Sequence, residues 1–309
     1  MSAELQTVLR NIPDGRYVVA VSGGVDSMVL LDLLALDPRQ AEGRLRLIVA
    51  HFDHGIRPDS ALDRQLVGEA AKRYGLRFVY DNGRLGAGAS EASARTARYA
   101  FLHTLRQAAD ARAIILAHHQ DDVVETAIIN MLRGTHRRGL SALRSTDVLL
   151  RPFLDVTKQQ LYDYARANNL QWREDETNTD QRYLRNRVRQ TIVPRMTADQ
   201  RVRLLQLIDK SAEIGRTLDE QLAAISDRLF DDQDQLDRHA FQQLPEAVAM
   251  ELVAAWFRRH DVRGYDTAAL KRTVQGAQSL ATGKRVDVLS GAYVQINRHH
   301  VVLHVGVAP

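Results

Sequence analysis

The 309-residue sequence contains no cysteine. This absence excludes disulfide bridges, thiolate-bound iron–sulfur clusters, cysteine-based zinc sites and thiol nucleophiles. Long apolar runs are also absent, and none approaches the roughly 20 residues that a membrane-spanning helix needs. The first ten residues include Glu4 and lack the apolar segment of a secretory signal. These features predict a cytoplasmic protein with no membrane association.

An excess of charge of one sign is lacking too, because 42 lysines and arginines stand against 38 acidic residues, for a net charge of +4. The placement of the basic residues is therefore more informative than their number. The length exceeds the size at which a single hydrophobic core usually stops growing, so two domains are expected. We place their boundary near residue 210, giving domains 1–210 and 211–309, because the strand–helix alternation has ended by then.

Apolar strand patterns alternate with helical patterns in the first half of the chain. This alternation predicts an α/β fold with a Rossmann-like parallel sheet and helices on both faces. Helical patterns dominate from about residue 198 to residue 280, and three short strand patterns follow. We therefore expect a smaller, mainly helical C-terminal domain that ends in short strands. The strands predicted for the parallel sheet are Tyr17–Val21, Leu45–Phe52, Arg77–Tyr80, Ala113–Ala117 and Val148–Leu150.

A glycine turn, Ser22–Ser27 (SGGVDS), joins the first predicted strand to the first predicted helix. Glycine lets the backbone bend tightly and approach a ligand closely. The free N–H groups of the turn and the positive end of the helix dipole form a site for phosphate or pyrophosphate. The spacing matches neither the Walker A loop nor the Gly-x-Gly-x-x-Gly motif. An ordinary strand–turn–helix connection is the alternative interpretation.

Other polar residues follow the predicted strands. Ligands of parallel sheets bind at the carboxyl ends of the strands, so we expect Ser22, His51 and His118 to share one edge. The segment from His51 to Gly55 contains two histidines and one aspartate. It is a candidate metal site or, equally, a polar loop beside a nucleotide pocket.

Two helical patterns place charged residues on one face. Asp122 and Glu125 are three residues apart near a predicted helix start, a spacing that suits an amine or Mg²⁺. Complementing the helix dipole is the alternative role for these carboxylates. On an earlier helix, Glu91, Arg95 and Arg98 share a face. They form either a solvated salt-bridge surface or an arginine pair directed at a phosphate.

Two basic stretches flank the candidate site. The first runs from Arg133 to Arg138, and the second, Arg182 to Arg203, holds seven arginines and a single acid, Asp199. Contacts of basic side chains with phosphates supply most of the affinity for nucleic acids. A charge run is more often only a solvated face, but two runs beside one site favour RNA binding.

Taken together, these segments resemble the tRNA(Ile)-lysidine synthases, a family of N-type ATP pyrophosphatases. The SGGVDS loop is similar to the pyrophosphate loop of that superfamily, and order and spacing of the motifs hold across residues 17–195. The other matching segments are 51–55 (HFDHG), 91–99 (EASARTARY), 118–126 (HHQDDVVET), 133–141 (RGTHRRGLS), 151–154 (RPFL) and 172–194 with Arg185, Asn186 and Arg189.

The resemblance implies an ATP-pyrophosphatase catalytic domain in residues 1–210 and an accessory tRNA-binding domain in residues 211–309. It implies an ATP- and Mg²⁺-dependent ligase that adenylates the C2 oxygen of the wobble cytidine in the CAU anticodon of tRNA(Ile) and releases pyrophosphate. Free L-lysine then replaces AMP, which changes codon specificity from AUG to AUA. Some members carry a further C-terminal domain, for which we expect no room in this sequence.

The resemblance also implies roles for single residues. It implies that pyrophosphate is bound by the loop residues Ser22, Gly23, Gly24, Val25, Asp26 and Ser27. It also implies that Asp26 helps to hold Mg²⁺ and that Asp122 and Glu125 bind the lysine amines. The predicted catalytic residues are Asp26, Asp122, Glu125 and Arg189. The predicted tRNA contacts are Arg133, Arg137, Arg138, Arg185 and Asn186.

Other functions stay open at the level of sequence. One is another ATP-pyrophosphatase, such as a tRNA thiolase or an amidotransferase-coupled synthetase, although the lack of cysteine and of a glutaminase domain argues against both. A second is a non-catalytic RNA-binding relative, which would form no AMP from ATP. The oligomeric state is also open, with a homodimer as one alternative.

Overall fold

The structure is a computed structural model that describes residues 2–55, 60–83, 86, 91–134, 137–174, 184–262, 264–289 and 291–306. The chain divides into two compact units, Met1–Ala212 and Glu213–Pro309. The division falls within a long helix, Ala198–Leu229, in which the predicted boundary near residue 210 also lies. Within the described ranges, no helix combines the length and apolarity that a membrane crossing requires.

The first unit is built on a five-stranded parallel sheet of order β3-β2-β1-β4-β5. Its strands are β1 (Gly15–Ala20), β2 (Leu45–Asp53), β3 (Arg77–Asn82), β4 (Ala113–Ile115) and β5 (Leu149–Leu150). The chain adds β2 and β3 on one side of β1 and then continues with β4 and β5 on the other. Parallel sheets bind ligands where the order reverses in this way, here at the carboxyl ends of β1 and β4.

Helices cover both faces of this sheet. They are α1 (Ser2–Thr7), α2 (Val25–Ala35), α3 (Pro38–Ala41), α4 (Ser60–Arg73), α5 (Glu91–Ala108), α6 (Gln120–Leu132), α7 (Arg137–Leu140), α8 (Lys158–Ala167) and α9 (Leu184–Arg187). Successive strand residues point to opposite faces. Tyr17 and Val19 pack in one core with α2, α4 and α8, whereas Val18 packs in another with α5. The predicted fold class is confirmed.

The second unit has its own core under a small antiparallel sheet of order β6-β9-β8-β7. Trp256, Phe257 and Phe241 are fully buried in this core. The helices are α10 (Ala198–Leu229), which begins in the first unit, α11 (Arg238–Gln242), α12 (Glu246–Arg259) and α13 (Thr267–Ser279). The strands are β6 (Leu236–Asp237), β7 (Arg285–Leu289), β8 (Ala292–Ile296) and β9 (His300–Val305).

Strand β2 ends at Asp53, one residue beyond the predicted strand Leu45–Phe52. The strand pairs with β3 as far as Asp53, opposite Asn82, so His51 lies inside the strand and not beyond its end. Its Nδ1 lies 2.9 Å from the carbonyl oxygen of Val21. A carbonyl oxygen only accepts, so Nδ1 is the protonated nitrogen. The expectation that His51 lies beyond the end of its strand is therefore wrong, because His51 pairs with Tyr80 of β3 inside the strand.

A buried carboxylate joins α2 to its neighbours. Asp32 is 4% exposed, and its two oxygens accept hydrogen bonds from the hydroxyls of Tyr74 and Tyr164, the latter at 2.6 Å. Tyr74 follows α4 and Tyr164 lies in α8, so the two hydroxyls connect the helices on this face of the sheet. Burial and the adjacent carboxylate raise the pKa of both hydroxyls. Buried charge of this kind is stable only when it is fully hydrogen-bonded.

Replacing Tyr164 by phenylalanine is expected to lower the free energy of unfolding by about 1–3 kcal/mol, because Asp32 loses one of two charge-assisted hydrogen bonds. Urea titration followed by circular dichroism measures this change. The matched control is Tyr162→Phe on the same helix, whose hydroxyl bonds the exposed Glu174 at 3.2 Å. We expect a change of about 0.5 kcal/mol or less there. Equal losses in both variants would contradict a special role for Asp32.

Candidate active site at the carboxyl edge of the parallel sheet

The glycine turn after β1 has the geometry of an anion site. Gly23 has φ +98°, a conformation that side-chain-bearing residues rarely adopt. The hydroxyl of Ser27 donates to the carbonyl of Gly24 at 2.9 Å and accepts from the N–H of Ser22 at 3.1 Å. Gly24 caps α2 without any side-chain acceptor. The first N–H groups of α2 are therefore oriented to bind an anion.

Two distant residues brace this turn from outside. The backbone N–H of Arg173 donates to the carbonyl of Gly23 at 3.0 Å, and its Nε donates to Asp63 at 2.7 Å. A Cβ atom on Gly23 would lie 3.4 Å from the Cβ of Asp63, so α4 packs closely against the turn. Sequence analysis placed Arg173 in a motif but missed Asp63, which is 110 residues away.

Asp26, in the first turn of α2, is paired with a lysine that sequence analysis missed. Lys158 Nζ lies 2.7 and 2.8 Å from the two carboxylate oxygens of Asp26. Lys158 is the first residue of α8, whose start is fixed by a capping box between Thr157 and Gln160. Lys158 therefore neutralises a carboxylate that lies next to the anion site.

Asp122 and Glu125 are buried on α6, with 9% and 1% exposure, and arginines compensate them. Arg189 binds Glu125 in a bidentate manner, at 2.6 Å through Nε and 2.9 Å through Nη2. Arg185 Nε lies 3.3 Å from the same carboxylate. Asp122 lies 3.4 Å from Arg189 Nη2. The structure thus joins both predicted lysine-binding carboxylates to one predicted catalytic residue and one predicted tRNA contact.

Asp122 also caps α6, as the dipole interpretation of the sequence suggested. Its Oδ2 accepts the N–H of His119 at 3.0 Å, and His119 Nδ1 accepts the N–H of Asp121. Burial by itself would raise the pKa of Asp122. The imidazoles of His119 and His118, the His119 N–H and the Arg185 guanidinium outweigh burial and lower that pKa. Asp122 is therefore an ionised group.

His119 lies between the two carboxylate sites. Its Nε2 is 3.6 Å from Asp26 and 3.6 Å from Asp122. Because Nδ1 accepts a backbone hydrogen bond, Nε2 carries the proton and faces both carboxylates. This imidazole connects the anion site with the carboxylate pair.

The arginine pair is positioned by an irregular segment between α9 and α10. Val188–Ile192 form a π-helical turn, and Val193–Arg195 form a 3₁₀ turn. Val188 is fully buried against Val124 and Ile128 of α6. Arg185 and Arg189, four residues apart, therefore both reach the carboxylates of α6. Single π-turns often occur at functional sites.

The remaining predicted residues lie in different settings. Arg133 is exposed at the end of α6, and Asn186 is buried in α9. Arg137 and Arg138 belong to α7, but their side chains lie outside the described residues. The motif residues 175–183 also lie outside them. In the part of the chain that is described, no group of three or more histidine or acidic side chains is arranged to hold a metal, including the segment from His51.

This fold and its glycine turn define a protein of the PP-loop class, and the family model of the PP-loop domain matches residues 1–196. A tRNA(Ile)-lysidine synthase from Solibacter usitatus is 32% identical over 304 residues, which covers 94% of this chain and 67% of the relative. Within the PP-loop class, the chain belongs to the family of tRNA(Ile)-lysidine synthases.

Two further similarities set the limits of this assignment. A tRNA(Ile)-lysidine synthase from Exiguobacterium sibiricum is 40% identical over 192 residues, covering 60% of this chain and only 44% of the relative. The chain thus corresponds to part of the length of such relatives. The solved structure of a U34-tRNA thiolase from Methanococcus maripaludis has a TM-score of 0.57 at 15% identity, covering 69% of this chain and 78% of that one. At this identity the likeness concerns the fold alone.

His118 is held neutral beside the carboxylate pair. Its Nδ1 accepts from Arg151 Nε at 3.2 Å, and Arg151 also donates to the carbonyl of Arg144. Burial lowers the pKa of His118 to about 3; Asp122 opposes this shift, while Arg151, Arg98 and Arg95 reinforce it. Its neutral form therefore stabilises the fold above the ordinary histidine pKa of about 6.5, and this contribution is lost as the pH falls towards 3.

Replacing His118 by asparagine is expected to reduce the loss of stability on acidification. One group with these two pKa values contributes about 2 kcal/mol less to the wild-type protein at pH 5 than at pH 7. Denaturant titrations give the free energy of unfolding of both proteins at pH 5 and pH 7. Comparing how much each protein loses between the two pH values removes any change that the substitution makes at both. Identical losses would show that His118 does not bind protons differently in the folded and unfolded states.

Proposed function

We propose that the chain ligates free L-lysine to C2 of the wobble cytidine in the CAU anticodon of tRNA(Ile), using ATP and releasing AMP and pyrophosphate. The observation that carries this proposal is the position of His119 Nε2, 3.6 Å from both Asp26 and Asp122. It places an anion-binding turn next to a pair of carboxylates. A reaction in which an amine displaces AMP needs its phosphate and amine sites side by side.

In this proposal the phosphates of ATP bind the N–H groups of Ser22–Ser27, and Asp26 contacts Mg²⁺. Mg²⁺ on a nucleotide is usually held by one or two carboxylates together with the phosphates, which suits the single carboxylate of Asp26. When bound, the ion offsets the charge that develops on the phosphates. Lys158, 2.7 Å from Asp26, adds a second positive charge at this place.

Asp122 and Glu125 bind the amines of lysine. Arg185 and Arg189 occupy these carboxylates in the structure, so a bound ammonium group must share or replace their ion pairs. Both arginines belong to the basic stretch that we assign to RNA, with Asn186 and the loop residues Arg133, Arg137 and Arg138. RNA phosphates draw the two guanidinium groups outward and thereby prepare the carboxylates for the amine.

The RNA substrate suits this edge of the sheet because an anticodon base is single-stranded. Such a base enters a pocket without disrupting a duplex. The second unit, Glu213–Pro309, adds contacts to the tRNA. A cytoplasmic location, where ATP, free lysine and tRNA occur together, is part of the same proposal.

The purified chain is expected to transfer radiolabelled lysine to a tRNA(Ile) transcript with a CAU anticodon, in the presence of ATP and Mg²⁺. Label retained in the RNA measures ligation, and a transcript with uridine at the wobble position is the RNA control. Asp26→Ala should abolish pyrophosphate release. The matched variant is Asp147→Asn, an exposed aspartate in the loop before β5, which should retain activity.

The outcomes of this assay separate the alternatives. Pyrophosphate release without lysine transfer would keep ATP-dependent activation and contradict lysine as the substrate. Folded protein that forms neither AMP nor pyrophosphate would favour a non-catalytic RNA-binding role. Thermal melting of each variant shows whether lost activity reflects unfolding.

Replacing Glu125 by glutamine is expected to raise the KM for lysine about 10- to 100-fold, because one charge-assisted contact with an amine is lost. Pyrophosphate release on tRNA should change about threefold or less. Glutamine is preferred to alanine because Glu125 is almost fully buried and anchors Arg189. Glu69→Gln, on the outer surface of α4, is the control. Loss of pyrophosphate release with an unchanged KM for lysine would contradict the assignment.

A further inference from the structure

The antiparallel sheet of the second unit carries a stack of three planar groups on one face. The rings of Tyr293 on β8 and His304 on β9 lie face to face, with centroids 4.7 Å apart and planes inclined by 16°. The Cζ atom of Arg285 on β7 lies 5.3 Å from the centroid of the Tyr293 ring. Because β8 lies between β7 and β9, Arg285 and His304 approach Tyr293 from opposite sides. The order across the sheet is therefore guanidinium, phenol, imidazole.

The alternation of side chains along β8 keeps this stack out of the hydrophobic core. Ala292, Val294 and Ile296 are buried, whereas Tyr293 points to the other face and is half-buried. Tyr293 is directly opposite His304 in the strand register. Paired rings on neighbouring strands stabilise a sheet, and that role is the simpler interpretation of the contact. It does not account for the exposure of the outermost ring, that of His304.

The imidazole of His304 is the end of the stack that a ligand can reach. β6 pairs with β9 at His300 and Val301, and Val301 lies three residues, or roughly 10 Å, before His304 along the strand. The pairing with β6 therefore covers the opposite end of β9. One side of the imidazole contacts Tyr293, and its outer side is available to a further planar group.

Basic side chains on the same sheet indicate the chemistry of that group. Lys284 directly precedes β7, and Arg298 lies in the turn between β8 and β9; both are exposed. The acidic side chains nearby have partners, because Asp287 pairs with Arg285 at 3.4 Å and Asp237 caps α11. Aromatic rings that take bases beside cations that take phosphates are the usual arrangement for binding single-stranded nucleic acid.

We propose that His304 receives an unpaired base of the tRNA substrate, which stacks on its imidazole as the next layer after Tyr293. Lys284 and Arg298 contact phosphates of neighbouring nucleotides. This inference rests on the proposed function, because that function makes tRNA the substrate and gives the second unit a share in binding it. The ligand is an unpaired base because the bases of a duplex are already stacked on one another.

Replacing His304 by alanine removes the proposed platform from an exposed position. The Kd for a tRNA(Ile) transcript is expected to rise about 5- to 100-fold, because one contact between a base and an aromatic ring is lost. His304→Phe keeps a planar ring and should bind within about threefold of the wild type. His239→Ala, which removes an exposed histidine of α11, is the matched control and should retain the wild-type Kd. Filter binding of labelled tRNA measures each Kd.

Salt dependence and a duplex competitor separate the base from the phosphates. His304→Ala should leave the slope of log Kd against log salt concentration unchanged, whereas Arg298→Ala should reduce that slope by about one. A fully paired RNA should bind the wild type and His304→Ala equally well, because it offers no unpaired base.

Other outcomes would overturn the inference. Equal losses of affinity in His304→Ala and His304→Phe would show that a planar ring is not what the RNA contacts. Equal losses for tRNA and for duplex RNA would assign His304 to the RNA backbone. An unchanged Kd for tRNA with a lower melting temperature would restrict the ring pair to stabilising the sheet. If His304→Ala does not fold, His304→Gln, which also lacks a ring, is measured in its place with the same expected loss.

Binding is measured without ATP or lysine, so the result does not depend on ligation. Wild-type protein that binds tRNA through His304 but transfers no lysine would contradict the ligase function and support the stacking site. Wild-type protein that transfers lysine, with His304→Ala binding tRNA equally well, would support the ligase function and contradict the stacking site.

Discussion

Two buried carboxylates, Asp122 and Glu125, lie near the start of α6 and must be neutralised. Several segments of the first unit supply the charges and hydrogen bonds that neutralise them. Removing a carboxylate from water costs several kcal/mol unless charge and hydrogen bonds replace the solvent. Arg189 supplies a bidentate contact to Glu125, and Arg185 supplies another. These arginines reach α6 because Val188 anchors the π-helical turn in an apolar pocket. The neutralisation of the carboxylate pair and the packing of the arginine-rich segment therefore depend on the same contacts.

The charges on either side of His119 form a connected network. On one side Lys158 neutralises Asp26, and on the other Arg185 and Arg189 neutralise Asp122 and Glu125. Burial alone would lower the pKa of Arg189, but Glu125, Asp122 and Asp26 raise it. Any ligand that binds one part of this network changes the balance in the rest. Such coupling suits the reaction proposed above, in which nucleotide, amine and RNA meet at one place.

Local patterns predicted much of the fold. The predicted strands Leu45–Phe52 and Ala113–Ala117 overlap β2 and β4, and the glycine turn joins β1 to α2 as expected. Errors occur where pairing with another strand sets the boundary. β2 continues one residue beyond the predicted strand, to Asp53, because β3 pairs with it. The two-residue strand β6 has no pattern of its own and exists through its pairing with β9.

The sequence by itself determined the features that depend on neighbours within a few residues: the alternation of strands and helices, the turn that favours Gly23, and the spacing of Asp122 and Glu125 on one helix face. Their physical basis is backbone geometry and the repeat of the helix. Only the tertiary structure decided the partners of these groups. Lys158 meets Asp26 across 132 residues, Arg189 meets Glu125 across 64, and Arg151 meets His118 across 33. Electrostatic pairing depends on distance in space, and the order of strands in the sheet sets that distance.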